Sequence, residues 1–518
     1  MPEWFPAMNF LFRKLMKPGI KPQPAILVCT EAFWSSLRQH LLKPDGKERV
    51  AFSLLGRSES RGRVAYYGYR LLPIPDEHCV EQNPYLVEPD PVAVVDCFDA
   101  YHQSFTVAFM HAHSHPFCDV ASFSGTDDAY LPGTVQSLQE YLEATKSHRP
   151  CRFLRMVTGQ NEGGFRIEVY DSQSHFIEDI TEVRIVGPKG LRRINREGSL
   201  EHVCASAARL SESEKAQFDR NVRWLGESGQ ATIADAHVAL AGVGGVGTEL
   251  VRICRGLGIR KYTLIDMDKV ELANLNRLMW RIADVGEFKV ELAKRFILSA
   301  IPDAEVRVLT MPVESSEAQE ALSRADVIMA SVDNDSARLN LQVLAARTLK
   351  PLLDLGSGIR LERGSTKVKS MGAQVAFYAP GGPCLACMGL DLNSVEDPEQ
   401  REARRRIGYI EGTEETPASV VTINSVIAGI AGDIFVKYAT GFAEAPTLVT
   451  YDAMEHVTVA FRIDGAPDCP ICGKTGVQGM GLEQEAPMLP TRGMSEVFTN
   501  QPAARPSGEG AAIAPGVA

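Results

Sequence analysis

At 518 residues the chain is longer than one hydrophobic core can serve, because cores stop growing at roughly 250–300 residues, so at least two domains are expected. An apolar share of 45% with 23% charged residues is that of a globular protein with substantial cores and argues against a largely disordered chain. The formal charge of −11 argues against nucleic acid as a general partner, since backbone binding needs an extended basic surface.

The first residues, MPEWFPAMNFLFRKLMKPG, hold neither a long apolar core nor a small-residue cleavage site, and no uninterrupted apolar run reaches the roughly 18 residues of a membrane span. A cytoplasmic protein with no membrane partner is expected. In that reducing setting the eleven cysteines point to metal binding or catalysis rather than disulfides. Over residues 25–185 the short β-rich runs AILVCT, VAFSLLG, RVAYYGYRLL, SFTVAFMHAH and FRIEVYD predict one mixed α/β domain. Residues 186–217 are charged and helix-favouring and read as a connector. A second domain, 218–476, alternates the strands VALAGV, KYTLIDMD, EVRVLTM and DVIMASVD with the helices ELVRICRGLG and KVELAKRFILSA. This βαβ rhythm predicts an α/β, Rossmann-like fold with a largely parallel sheet. The basic run Arg401, Arg404, Arg405 and Arg406 reads as a solvated helix face. Residues 477–518 are rich in Pro, Gly, Ala and Met and are expected to form a disordered tail.

In the first domain the segment HAHSHPFCDVASFSGTDD follows a strand-like run. A strand end presenting His113 and His115, with Asp127 or Asp128 beyond, supplies three zinc ligands and leaves a fourth position for water. His111 reads as a packing or turn residue. The segment resembles the JAMM (JAB/MPN) metallopeptidases, although eight residues separate His115 from Ser124 where that family has seven; set against that family's motif, the extra residue leaves Asp127 or Asp128 as the third ligand, and Asp127 is preferred. The resemblance implies that Ser124 supports the oxyanion and that a distant glutamate takes a proton from zinc-bound water. Glu48 is the first candidate for that glutamate, with Glu59 and Glu77 as alternatives.

In the second domain VALAGV runs into Gly242, Gly244, Gly245 and Gly247 and then directly into a helix, an arrangement suited to holding a phosphate at the helix N-terminus. Asp266 and Asp268 end the next strand, about 20 residues on, where a carboxylate meets ribose hydroxyls. These features suit a dinucleotide-binding enzyme equally well. The further segments LIDMDKVELANLNRL, GEFKVELAK and SVDNDSARLN resemble, in order and spacing, the ThiF/MoeB/ubiquitin-activating (E1-like) adenylating superfamily. That resemblance implies ATP as substrate, Asp266 on ribose, Asn274, Arg277 and Lys289 on the triphosphate, and Asp333 as the carboxylate for magnesium. It also places Arg220, in QFDRNVRWLGESG, as an arginine lent to the site of a neighbouring subunit, so a homodimer is expected.

Two C-x-x-C pairs, Cys384/Cys387 and Cys469/Cys472, have the spacing of a closed, structural four-thiolate zinc site. No cysteine lies between Met388 and Asp468, and Cys254 reads as a packing residue, which makes a thioester intermediate doubtful. Taken together, the two resemblances imply ATP-dependent adenylation of the C-terminal glycine of a ubiquitin-like or sulfur-carrier protein ending in Gly-Gly. They imply with it zinc-dependent cleavage after such a glycine. The alternatives are activation of a small carboxylate or a tRNA-borne group, and a non-catalytic module that binds a ubiquitin-like protein.

Overall fold

The structure is a computed structural model that describes residues 25–60, 62–147, 151–160, 164–195, 200–202, 210–362, 365–390, 392 and 419–483. The basic run at 401–406 and residues 484–518 lie outside them.

The first domain runs β1 (Ala25–Thr30), α1 (Glu31–Leu41), β2 (Val50–Ser60), β3 (Arg63–Pro73), a hairpin of β4 (Cys79–Asn83) and β5 (Leu86–Pro89), and α2 (Pro91–Gln103). It continues with β6 (Ala108–Ser114), α3 (Gly125–Ala144), β7 (Arg152–Thr158), β8 (Phe165–Tyr170), β9 (Phe176–Gly187), β10 (Gly190–Asn195) and β11 (Leu200–His202). The nine-stranded sheet has the order β1-β3-β2-β6-β7-β8-β9-β10-β11, and β1 also pairs with β9, so the strands from β1 to β9 close on themselves. Side chains alternate along β6 as a strand requires. Ala108, Met110 and Ala112 enter the core that α1 covers with Phe33, Trp34 and Leu37. Phe109 enters a second core with Phe98 and Tyr101 of α2 and Val135 and Leu138 of α3, which leaves His111 and His113 on the face turned to those helices.

The second domain comprises α4 (Glu212–Gln217), α5 (Asp219–Asp235), β12 (His237–Ala241), α6 (Gly245–Gly256), β13 (Lys261–Ile265), α7 (Lys289–Leu298), β14 (Glu305–Leu309) and α8 (Ser316–Leu322). Then follow β15 (Val327–Ala330), α9 (Asp335–Arg347), β16 (Leu352–Leu361), β17 (Val368–Tyr378), α10 (Val421–Thr440), β18 (Leu448–Asp452) and β19 (Val457–Phe461). Its sheet has the order β14-β13-β12-β15-β16-β17-β18-β19, parallel from β14 to β16 and antiparallel beyond. Helices cover both faces of β12: Val238 and Leu240 enter one core, Ala239 and Ala241 the other, which is why this strand is apolar throughout. The strand order reverses between β12 and β15, so the chain leaves their carboxyl ends in opposite directions and opens a crevice there. Among the described residues α10 is long and apolar enough to cross a membrane, yet Ile423, Ile427, Ala431 and Phe435 bury it in the core of this domain.

Two boundaries differ from the sequence reading. The expected connector 186–217 begins as sheet: Gly187 and Gly190 turn β9 into β10, and the adjacent Arg192 and Arg193 of β10 find Glu31 and Glu182 as partners, so charge density there reflects strand pairing. The expected tail also starts too early. Val477–Glu483 folds back as a strap between the domains, held to α9 by Gly479 N to Ala346 O (2.9 Å) and Gly481 N to Arg347 O (2.9 Å). On its other side Leu482 N donates to Arg57 O at 3.0 Å, and Arg57 pairs with Glu483. The approach is close enough that a Cβ on Gly56 of β2 would lie 2.1 Å from the backbone of Met480. Leu349 completes the contact by packing among Ile26, Val28, Tyr67 and Val186.

Candidate functional sites

Antiparallel pairing of β2 with β6 sets Val50 opposite His113, and continuing that register places Glu48 opposite His115. Reciprocal bonds hold the extension in place, Arg49 N to Ser114 Oγ and Ser114 N to Arg49 O, each 3.1 Å. The buried Arg49 guanidinium grips Asp45 and Asp76, clamping the loop that carries Glu48. From the other side α3 delivers Asp127 through a capping box, in which Ser124 Oγ accepts from Asp127 N (3.2 Å) and Asp127 Oδ2 accepts from Ser124 N (2.6 Å).

The result is a compact cluster. His113 Nε2 lies 3.2 Å from His115 Nε2 and 3.1 Å from Asp127 Oδ1, and His115 Nε2 lies 3.4 Å from Asp127 Oδ2. Ligands at zinc–nitrogen and zinc–oxygen distances of about 2.0–2.1 Å form a tetrahedron with edges of about 3.3 Å, so the three donors fit one zinc with a corner open. Glu48 Oε1 stands 3.7 Å from His115 Nε2. Burial pushes its carboxyl up to about 7, beyond the lowering effect of His115, which suits a group that accepts a proton near neutrality. Against its burial, the two imidazoles hold Asp127 well below the usual carboxylate range.

Asp128 is turned away and pairs with Arg155 at 2.8 Å, so the choice between the adjacent carboxylates falls on Asp127. Glu59 pairs with Arg57 toward the far end of β2, and Glu77 lies in an exposed 3-10 turn, so neither joins the cluster. His111 stacks on His113 and meets the Phe52 ring at a tilt, and burial pushes it down to about 3, leaving it a neutral packing residue.

In the second domain the glycine loop lies at the reversal point of the sheet. A Cβ on Gly247 would lie 2.2 Å from Gly242 O, so the loop folds back on itself only without side chains. Gly244 caps α6 without a side chain, so among the described residues the first-turn N–H groups meet no side-chain acceptor, and Gly244, Gly245 and Val246 are half-exposed. Asp266, at the end of β13, accepts from Val243 N (2.7 Å) and Asp268 N (2.8 Å); burial raises its carboxyl above the ordinary value, against the charge of Lys289. Lys289 opens α7 and meets Asp268 at 2.9 Å. Arg277 makes contacts to the neutral acceptors Ala273 O and Asn276 Oδ1, and its stem packs on Gly245.

Asn274 spends its Oδ1 on Glu271 N at 3.1 Å. Asp333 is exposed at the end of β15 and, among the described residues, has no cationic partner. Arg220 extends into solvent from α5 with its side chain 86% exposed.

The four cysteines converge from two chain segments. Cys384 Sγ lies 3.9 Å from Cys387 and 3.5 Å from Cys469, and Cys387 lies 3.6 Å from Cys472. A zinc–thiolate tetrahedron has edges of about 3.8 Å, so this cluster fits a closed zinc site. Cys254 is buried beside Met329, and burial pushes its thiol up to about 12, which suits packing and not nucleophilic attack.

The model of the ThiF family matches residues 218–471, all within the second domain. Residues 218–471 are a ThiF-family domain. The chain is 28% identical over 278 residues to the SAMP-activating enzyme E1 of Haloferax volcanii, covering 51% of this chain and 92% of that protein. It is 26% identical over 274 residues to the molybdopterin-synthase adenylyltransferase of Escherichia coli, covering 52% of this chain and all of that protein. It is also 27% identical to the ubiquitin-like modifier-activating enzyme 5 of Caenorhabditis briggsae, of which it spans about half, 54%. Among solved structures, Escherichia coli MccB with ATP superposes at a TM-score of 0.41 with 20% identity over 51% of this chain and 76% of that one.

Sequence reasoning missed the residues that support these sites. Arg49, Arg155 and Ser331 bear no motif, and Ser331 Oγ donates to Gly242 O at 2.9 Å across the crevice. The one available signal was Arg49 itself, a cation at the head of an apolar strand.

Proposed function

We propose that the ThiF-family domain adenylates the C-terminal glycine carboxylate of a ubiquitin-like or sulfur-carrier protein ending in Gly-Gly, and that the first domain is a JAMM-type zinc peptidase acting after such a glycine. The observation that carries this reading is the presence, on one chain, of the His113–His115–Asp127–Glu48 cluster and a glycine-loop crevice whose curated relatives are activating enzymes of that kind.

In the crevice the α6 N-terminus, Arg277 and Lys289 neutralise the phosphates of ATP, Asp266 holds ribose, and Asp333 and Asp268 are the carboxylates available to magnesium. A carboxylate oxygen of the carrier attacks the α-phosphorus, the bond to the β-phosphate breaks and pyrophosphate leaves. Arg220, pointing outward, serves the site of a partner subunit in a homodimer. In the first domain His113, His115 and Asp127 would hold zinc, which would supply a polarised water; Glu48 is the residue that would take a proton and Ser124 the one that would support an oxyanion.

The test is ATP–pyrophosphate exchange with and without Gly-Gly-ended carrier proteins, on wild type and Asp333→Ala. Exchange that requires both the carrier and Asp333 is expected. Exchange indifferent to every carrier would move the assignment to a small carboxylate or a tRNA-borne group.

A further inference from the structure

Asn424 lies in the first turn of α10 and is fully buried. Its Oδ1 accepts from Ser357 Oγ of β16 at 2.8 Å, which fixes the orientation of the amide. Its Nδ2 is left without a hydrogen-bond partner among the described residues. A buried amide donor with no acceptor is unfavourable and uncommon, so its persistence calls for an acceptor supplied from elsewhere.

The surroundings show where. Nδ2 abuts Gly245, the first residue of α6: a Cβ there would lie 2.5 Å from Nδ2 and 3.2 Å from Arg277 Cδ. Three features therefore meet at one point: a twelve-residue helix whose first turn lacks a side-chain cap, an arginine with neutral neighbours, and an unpaired buried amide. All three are suited to an anion. A neutral, buried donor also differs from the surface cations in kind, since it rewards an oxygen at one position and is insensitive to salt screening.

We infer that Asn424 is a phosphate-binding residue whose Nδ2 donates to an anionic oxygen of the nucleotide's phosphate chain at the N-terminus of α6. This rests on the adenylation reading above, and it adds to the glycine loop a donor from α10, a helix of the other half of the domain. Ser357 is the positioning residue that keeps the donor aimed.

Binding of the α,β-methylene analogue of ATP with magnesium, and of adenosine, is measured on the full chain together with the melting temperature without ligand. Asn424→Ala is expected to weaken the triphosphate analogue about tenfold and leave adenosine unchanged, and Asn424→Asp to weaken it further through like-charge repulsion. Asn424→Leu removes the unpaired donor together with the acceptor of Ser357 Oγ, two changes that oppose each other in stability, so it should melt close to wild type while losing affinity for the triphosphate analogue. Triphosphate affinity unchanged in Asn424→Leu, or lost in parallel with adenosine affinity, overturns the assignment. Wild-type protein that binds neither ligand overturns the adenylation reading and the assignment together.

Discussion

Asp127 and Asp128 are neighbours at the start of one helix, and the fold gives them different tasks. Asp127 completes the donor cluster with His113 and His115, while Asp128 ties α3 to Arg155 of β7 and so keeps that helix in place. Full-length protein should hold zinc at two sites; Asp127→Asn should lose one equivalent in metal analysis, whereas Asp128→Asn should keep both. Asp354 carries a different expectation. Burial pushes its carboxyl up to about 6, only partly offset by Arg338, so the folded chain binds a proton there that the unfolded chain releases near 4. Its contribution is present below about pH 4 and is lost as pH rises to about 6, on the order of 3 kcal/mol. Melting temperature followed from pH 4 to 7 should show this fall in wild type, and Asp354→Asn should remove it.

Among elements, those whose chemistry lies in contiguous sequence were the readable ones. The glycine loop, each C-x-x-C pair and the H-x-H strand end place their groups within a few residues; in the structure the four cysteines converge, and His113, His115 and Asp127 lie together. Glu48 could be proposed only by resemblance, because its place opposite His115 depends on the β2–β6 register over 60 residues apart in sequence. Asn424 and Ser331 were illegible for the same reason: neither belongs to a local pattern, and each gains meaning from the strand or helix packed against it. The connector was misjudged because charged residues on paired strands look like a solvated helix until their partners are known. The loop gives a direct test. Gly247→Ala puts a methyl within 2.2 Å of Gly242 O, so triphosphate binding should fall below detection in titration calorimetry while zinc content and the far-ultraviolet dichroism stay at wild-type levels.

For the molecule as a whole, the seam between the domains is more than two surfaces in contact. Ser60 bonds Glu320, Arg184 faces Asp326, and the strap that follows Cys472 lies between α9 and β2. Gly56→Ala sets a side chain against the backbone of Met480 and should dislodge the strap, costing about 1–3 kcal/mol. Its signature should be faster hydrogen exchange at residues 54–60 and 477–483 with the His113–His115 zinc retained.

The strap also sets an order of events during synthesis. Strands β1 to β11 are complete once His202 has been made, yet the seat on β2 stays open until Val477–Glu483 arrives, on the order of tens of seconds later at ordinary elongation rates. Through that interval the first domain is complete in sequence but unlatched, and its seat on β2 is filled only when the ThiF-family domain that delivers the latch has itself been made.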